Sequence, residues 1–69
     1  MRITHQSFPT KEGGRVVIAQ RPHPVTPIVV TLHDGERFAT EVDVGNGFYF
    51  PDVVSARQRF QFMRMKLAL

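Results

Sequence analysis

Four basic side chains, Arg57, Arg59, Arg64 and Lys66, fall in the closing stretch RQRFQFMRMKLAL, interleaved with Phe60, Phe62, Met63, Met65, Leu67 and Leu69. Cations neutralise phosphates, and aromatic rings offer surfaces on which bases stack. If the four cations share an exposed face, this end of the chain is a candidate nucleic-acid-binding surface. Tyr49 is the aromatic expected to point outward and join it. Met63, Met65, Leu67 and Leu69 suit a different chemistry: an apolar contact with another protein, or a seam between copies of the chain.

Other reactive groups are sparse. The only serines are Ser7 and Ser55, and neither stands in a Gly-x-Ser-x-Gly context. His5, His23 and His33 match no zinc-ligand spacing, and the chain has no cysteine to supply thiolates. His33, Asp34 and Glu36 cluster, but at what reads as an exposed hairpin tip, where no surrounding shell would fix ligand geometry. Glu41 and Asp43 share a strand face and look solvated, without the cleft that acid–base work requires. Gly13-Gly14 lacks the Lys-Ser/Thr of a phosphate loop. No catalytic residue, metal, cofactor or small-molecule substrate is therefore expected.

Charge is unevenly spread. Residues 1–33 are net +3, residues 34–52 are net −4, and residues 53–69 are net +4 with no acid among them. A basic end of this kind attracts nucleic acid or an acidic protein. A chain of 69 residues makes one domain, 1–69, with 1–14 the part most open to loose attachment. A domain of this size buries only about 60% of its unfolded surface. Without disulfides, extra burial is expected from a homo-oligomer or a docked partner. No apolar run is long enough to span a bilayer, nor does the N-terminus resemble a signal peptide. A soluble, cytoplasmic protein is expected.

The elements that must position these groups read mainly as strands. RVVIAQ, Arg15–Gln20, follows the turn-like KEGG, and Met1–His5 is a candidate edge strand. RPHPVTP, Arg21–Pro27, breaks the ladder, since its prolines lack the N–H a central strand needs. Ile28–Leu32 is a β-branched strand. Glu36–Val44 alternates, with Phe38, Thr40, Val42 and Val44 on one face. A three-residue loop His33-Asp34-Gly35 then pairs Leu32 with Glu36 and Val30 with Phe38. A second loop, Gly45-Asn46-Gly47, pairs Val44 with Phe48 and Val42 with Phe50, completing a meander.

The C-terminal segment has two readings. As a strand with one bulge near Phe62–Met63, it sets Phe60 with Phe62 and the Met/Leu run on one face, and Arg59, Gln61, Arg64 and Lys66 on the other. As a helix capped by Asp52, it aligns Val53, Ala56, Phe60, Met63 and Leu67, with Val54, Phe62, Met65 and Leu69 as a second stripe behind. The strand accounts for every large apolar residue, whereas propensity favours the helix. Taken as a strand, it makes PDVVSA, Pro51–Ala56, a single helical turn.

The order of meander, helical turn and closing strand resembles small SH3-like and Sm-like barrels over about Ile28–Phe62. That resemblance implies a small antiparallel barrel with a helical turn near 52–56. Phe48-Tyr49-Phe50 stands where the Sm pattern has small polar residues, and no later Arg-Gly pair follows, so no RNA-contacting residue is carried over. The alternative is an α+β domain, an antiparallel sheet with a C-terminal helix over 53–67. Functionally, the expectation is a non-catalytic regulatory module, binding nucleic acid through its basic C-terminal face. The alternative is a protein-interaction, inhibitor or structural module using the apolar strip.

Overall fold

RVVIAQ forms β2, Arg15–Gln20, and it sits at the heart of the fold because both its faces are apolar. Val16 and Ile18 point to one side, Val17 and Ala19 to the other, and all four are fully buried. The structure is a computed structural model, which describes the backbone of all 69 residues and every side chain except those of Thr4 and His5. The His5 side chain thus lies outside the described residues.

β1, Arg2–Pro9, pairs antiparallel with β2, its register shifting between Ile3 and Ser7. It is longer than the Met1–His5 strand expected from sequence. The KEGG segment turns between the two strands with Gly13 and Gly14 at positive φ, a conformation that favours glycine. β3, Ile28–His33, pairs with β2 along its whole length. The proline-rich connection between them is closed by its own hydrogen bonds, including Arg21 N–H to the Pro27 carbonyl at 2.9 Å. β4, Gly47–Phe50, pairs with β3 through Ile28–Phe50 and Val30–Phe48. The four strands run in the order β1-β2-β3-β4.

The strand expected over Glu36–Val44 does not form. Its only ladder contact is an isolated bridge between His33 and Phe38. The pairings of Leu32 with Glu36 and of Val30 with Phe38 are absent, as are those of Val44 with Phe48 and Val42 with Phe50. Local carboxylates win the backbone donors instead. Asp34 Oδ1 accepts the N–H groups of Glu36 (2.8 Å) and Arg37 (2.9 Å), Glu41 Oε2 accepts that of Phe38 (2.8 Å), and Asp43 Oδ1 accepts that of Gly45 (2.9 Å). The chain coils into α1, Ala39–Val42, and a 3₁₀ turn, Val44–Asn46. Phe38 anchors this segment in a cluster with Val17 and Ala19, Thr31 Oγ1 donates to the Asn46 carbonyl, and the Tyr49 hydroxyl donates to the Val44 carbonyl at 2.6 Å.

The last segment is a helix, α2, Val53–Leu67. The closing strand, and with it the barrel, is therefore corrected to an open antiparallel sheet with a C-terminal helix, the α+β alternative. Asp52 caps the helix by accepting the Ser55 N–H at 2.8 Å. Arg64 and Lys66 lie in its last turn, where cations complement the helix dipole. Ala56 and Phe60 are fully buried against Phe8, Val16, Ile18, Ile28 and Val30. Phe60 meets Phe8 edge-to-face, with ring centroids 5.2 Å apart. Each phenylalanine or branched aliphatic buried here contributes about 1.5–3 kcal/mol. Beyond the helix, Ala68 bridges Thr10, and Leu69 N–H donates to the Pro9 carbonyl. The sheet is thus covered by α2 on one face and by the 34–46 segment on the other.

Candidate functional site

A helix advances about 100° per residue, which sorts α2 into sectors. Val53, Ala56, Phe60 and Met63 face the sheet and join or pack on its core cluster. Val54, Gln58, Gln61, Phe62 and Met65 occupy the opposite side, and Met65 is 88% exposed. The four cations split between the two flanks. Arg57 and Arg64 lie two turns apart on one flank, while Arg59 and Lys66 have the same spacing on the other. The single basic face of the strand reading is thereby corrected to two basic rows flanking a ridge in which Val54, Phe62 and Met65 are interspersed with Gln58 and Gln61. No acidic residue interrupts them, because α2 contains none.

Of the Arg59–Lys66 row, Arg59 faces β4, whereas Lys66 borders a cavity beside the Thr10–Gly13 turn and Leu32. The Arg59 guanidinium carbon lies 4.2 Å from the centroid of the Phe48 ring and 5.6 Å from that of Phe62. Lys66 Nζ lies 5.0 Å from the Phe62 centroid. Both rings reach solvent: Phe48 is 41% exposed and Phe62 is 49% exposed. Alternation on β4 explains this side of the arrangement. Phe48 and Phe50 project toward α2, and Phe50, nearer the core, packs against its cluster. Between helix and strand runs a groove of about 310 Å³ lined by Phe50, Ser55, Gln58, Arg59 and Phe62. Cations alternating with open rings beside a sheet edge can hold phosphates and stack planar groups at once.

Tyr49 is not part of this constellation. It points from β4 to the other face of the sheet, where its hydroxyl is bonded to Val44 and Arg21 lies 4.2 Å from its ring centroid. The apolar strip also divides. Met63 packs on the core, and Met65 points outward. Leu67 offers its carbonyl to Lys11 N–H, and Leu69 lies past the helix end at 84% exposure. The expected meander pairs Phe48 with Val44 and the strand reading sets Phe62 beside Phe60 on the face away from the cations, so neither ring is expected next to Arg59. The helical alternative held the signal for Phe62, since two residues from buried Phe60 is the far side of a helix.

The remaining polar groups serve the loops. His23 Nδ1 accepts the N–H groups of Val25 and Thr26. His33 Nδ1 accepts that of Gly35, and its ring meets Phe38 edge-on at 4.7 Å. Ser7 Oγ accepts from Arg15 Nε. Among the described residues no group of three His, Asp or Glu side chains could hold a metal, and no helix is long and apolar enough to cross a membrane. A second concavity, about 500 Å³, lies between the Gly13-Gly14 turn and the 34–46 segment; Leu32, Phe38, Ala39 and Val42 give it an apolar lining, and Glu12, His33, Asp34 and Arg37 also border it. The chain matches no protein-family model, no curated protein and no solved structure.

Proposed function

We propose that this chain is a non-catalytic binding module that takes single-stranded nucleic acid on the flank of α2 beside β4. The supporting observation is Arg59 set between two solvent-reaching phenylalanines, Phe48 and Phe62, with Lys66 on the outer ring. Bases stack on phenylalanine rings or on the guanidinium plane, and each stacked base contributes about 1–3 kcal/mol. The cations neutralise the intervening phosphates, while Arg57 and Arg64 extend the positive field around the helix. Ser55 and Gln58 in the groove supply polar edges without adding negative charge.

A labelled oligothymidine or oligouridine titrated with the protein across a salt series tests this. Neutralising three to four phosphates gives a slope of about −2 to −3 in log affinity against log salt, at roughly 0.7 per phosphate for a single strand. Binding at low salt with such a slope supports the reading. No binding at low salt, or binding indifferent to salt, removes it.

A further inference from the structure

The nucleic-acid reading uses the cations of α2 with the rings of Phe48 and Phe62, and leaves without a role the apolar side chains exposed along the helix's outer ridge and just past its end. Val54, Met65 and Leu69 are 73%, 88% and 84% exposed, and single-stranded nucleic acid needs none of them. The 34–46 segment, packed on the other face of the sheet, carries a surface of opposite charge. It exposes Val42 and Val44, at 70% and 66%, among Asp34, Glu36, Glu41 and Asp43, with Arg37 the one cation. Val42 lines the concavity of about 500 Å³ that Phe38, Ala39 and Leu32 help to make apolar. The helix thus offers apolar knobs flanked by cations; the 34–46 side offers an apolar socket lined at its polar edge by Glu12, Asp34, His33 and Arg37, with Glu36, Glu41 and Asp43 making the surrounding segment net acidic.

We infer that the partner of the α2 ridge is a second copy of this chain, docked through its 34–46 segment. Opposite charges on the two faces steer the encounter and disfavour like-on-like pairing of helix with helix. Burial of Met65, Leu69 and Val54 against Val42 and the socket supplies the non-directional part of the contact. Because α2 and the 34–46 segment cover opposite faces of the sheet, the contact joins unlike patches. Every assembly keeps one free ridge at one end and one free socket at the other, so it grows head to tail. The acidic segment of a neighbour would also occupy the cationic helix that nucleic acid requires, making self-association and nucleic-acid binding compete. The self-association itself is independent of the nucleic-acid reading and is measured without any nucleic acid present.

Sedimentation velocity on the purified chain, at rising concentration and at low and high salt, supplies the test. The wild type is expected to gain mass with concentration at low salt and to revert to monomer at high salt. Two double variants block one face each. Arg64→Glu with Met65→Glu alters the ridge, and Glu36→Lys with Val42→Lys alters the socket side; all four positions are exposed. Each variant alone is expected to stay monomeric, and an equimolar mixture to form dimers and stop there, since only one complementary pair of faces survives. A wild type that is monomeric at every concentration, or a mixture that gives no dimer, overturns the inference. The socket variant retains an intact helix face, so its oligonucleotide affinity reports separately on the nucleic-acid reading. Circular dichroism of both variants confirms that lost assembly is not lost folding.

Discussion

Arg59 lies over the ring of Phe48, its guanidinium carbon 4.2 Å from the centroid, and so ties α2 to the edge strand β4. The pair contributes about 0.5–1 kcal/mol at an exposed site. It also presents a cation and a π-surface to the same volume of solvent. Truncating Phe62 or Phe48 to alanine is expected to weaken oligonucleotide binding by about 1–3 kcal/mol each. Arg59→Ala is expected to lower the salt slope by about 0.7 as one phosphate contact is lost. Tyr49→Phe should leave both unchanged, because Tyr49 sits on the other face. Fluorescence anisotropy across a salt series reads all four variants.

Phe60 is the helix's main anchor, fully buried and set edge-to-face against Phe8. Phe60→Ala removes this contact and leaves a cavity between α2 and β1, at a cost of about 3–5 kcal/mol. Domains of this size have little stability to spare. Urea denaturation monitored by circular dichroism should therefore show the variant largely unfolded in buffer. Phe62→Ala, two residues away but exposed, should shift the midpoint little.

The start of α2 carries a side-chain cap. Asp52 Oδ1 accepts the Ser55 N–H, satisfying a donor that the helix itself leaves without a partner. Asp52→Ala is expected to cost about 0.5–2 kcal/mol, and Asp52→Asn, which keeps an acceptor, considerably less. Thermal melts of the two variants decide the point.

Asp34 should report on the coiled segment through pH. The backbone N–H of Arg37, and then that of Glu36, donate to its carboxylate and hold its pKa below the ordinary value. A depressed folded-state pKa means that the stabilisation is fully present above the unfolded value, about 3.9, and is lost as pH falls through the folded one. The stability gap between wild type and Asp34→Asn is therefore expected to be constant near neutrality and to close on acidification below that range. Melting temperatures of both proteins across the acid range check the sign.

Gly47 sits where the coiled segment presses on β4. A Cβ there would lie 2.6 Å from Thr40 Cγ2 and 3.1 Å from the Tyr49 ring and hydroxyl. Gly47→Ala is expected to displace the 39–46 segment, weaken the Tyr49–Val44 bond and cost about 1–3 kcal/mol, as overpacking does. Faster amide exchange at the residues of α1, with β2 still protected, would localise the damage.

The residues themselves determined the parts of this protein in which local preference and burial agree. RVVIAQ is a strand on any reading, since its run of β-branched and small apolar residues suits burial on both faces. Prolines forced the break at 21–27, glycines made the turn at 13–14, and the absence of acid after Asp52 made the C-terminal end basic whatever its conformation. Only the tertiary structure decided the rest. The alternation of Glu36–Val44 satisfies a strand as pattern, but three carboxylates within reach of its own N–H groups draw the backbone into turns, and β3 takes β4 as its partner instead. The segment 53–67 carries apolar residues at spacings that suit either a bulged strand or a helix. What settles it is the surface left open by β1–β3, where Phe8, Val16, Ile18, Ile28 and Val30 accept Ala56 and Phe60 one helical turn apart. That choice divides the cations into two rows and turns Phe62 outward to meet Arg59 and Lys66, an arrangement that depends on the helix's rotation against the sheet.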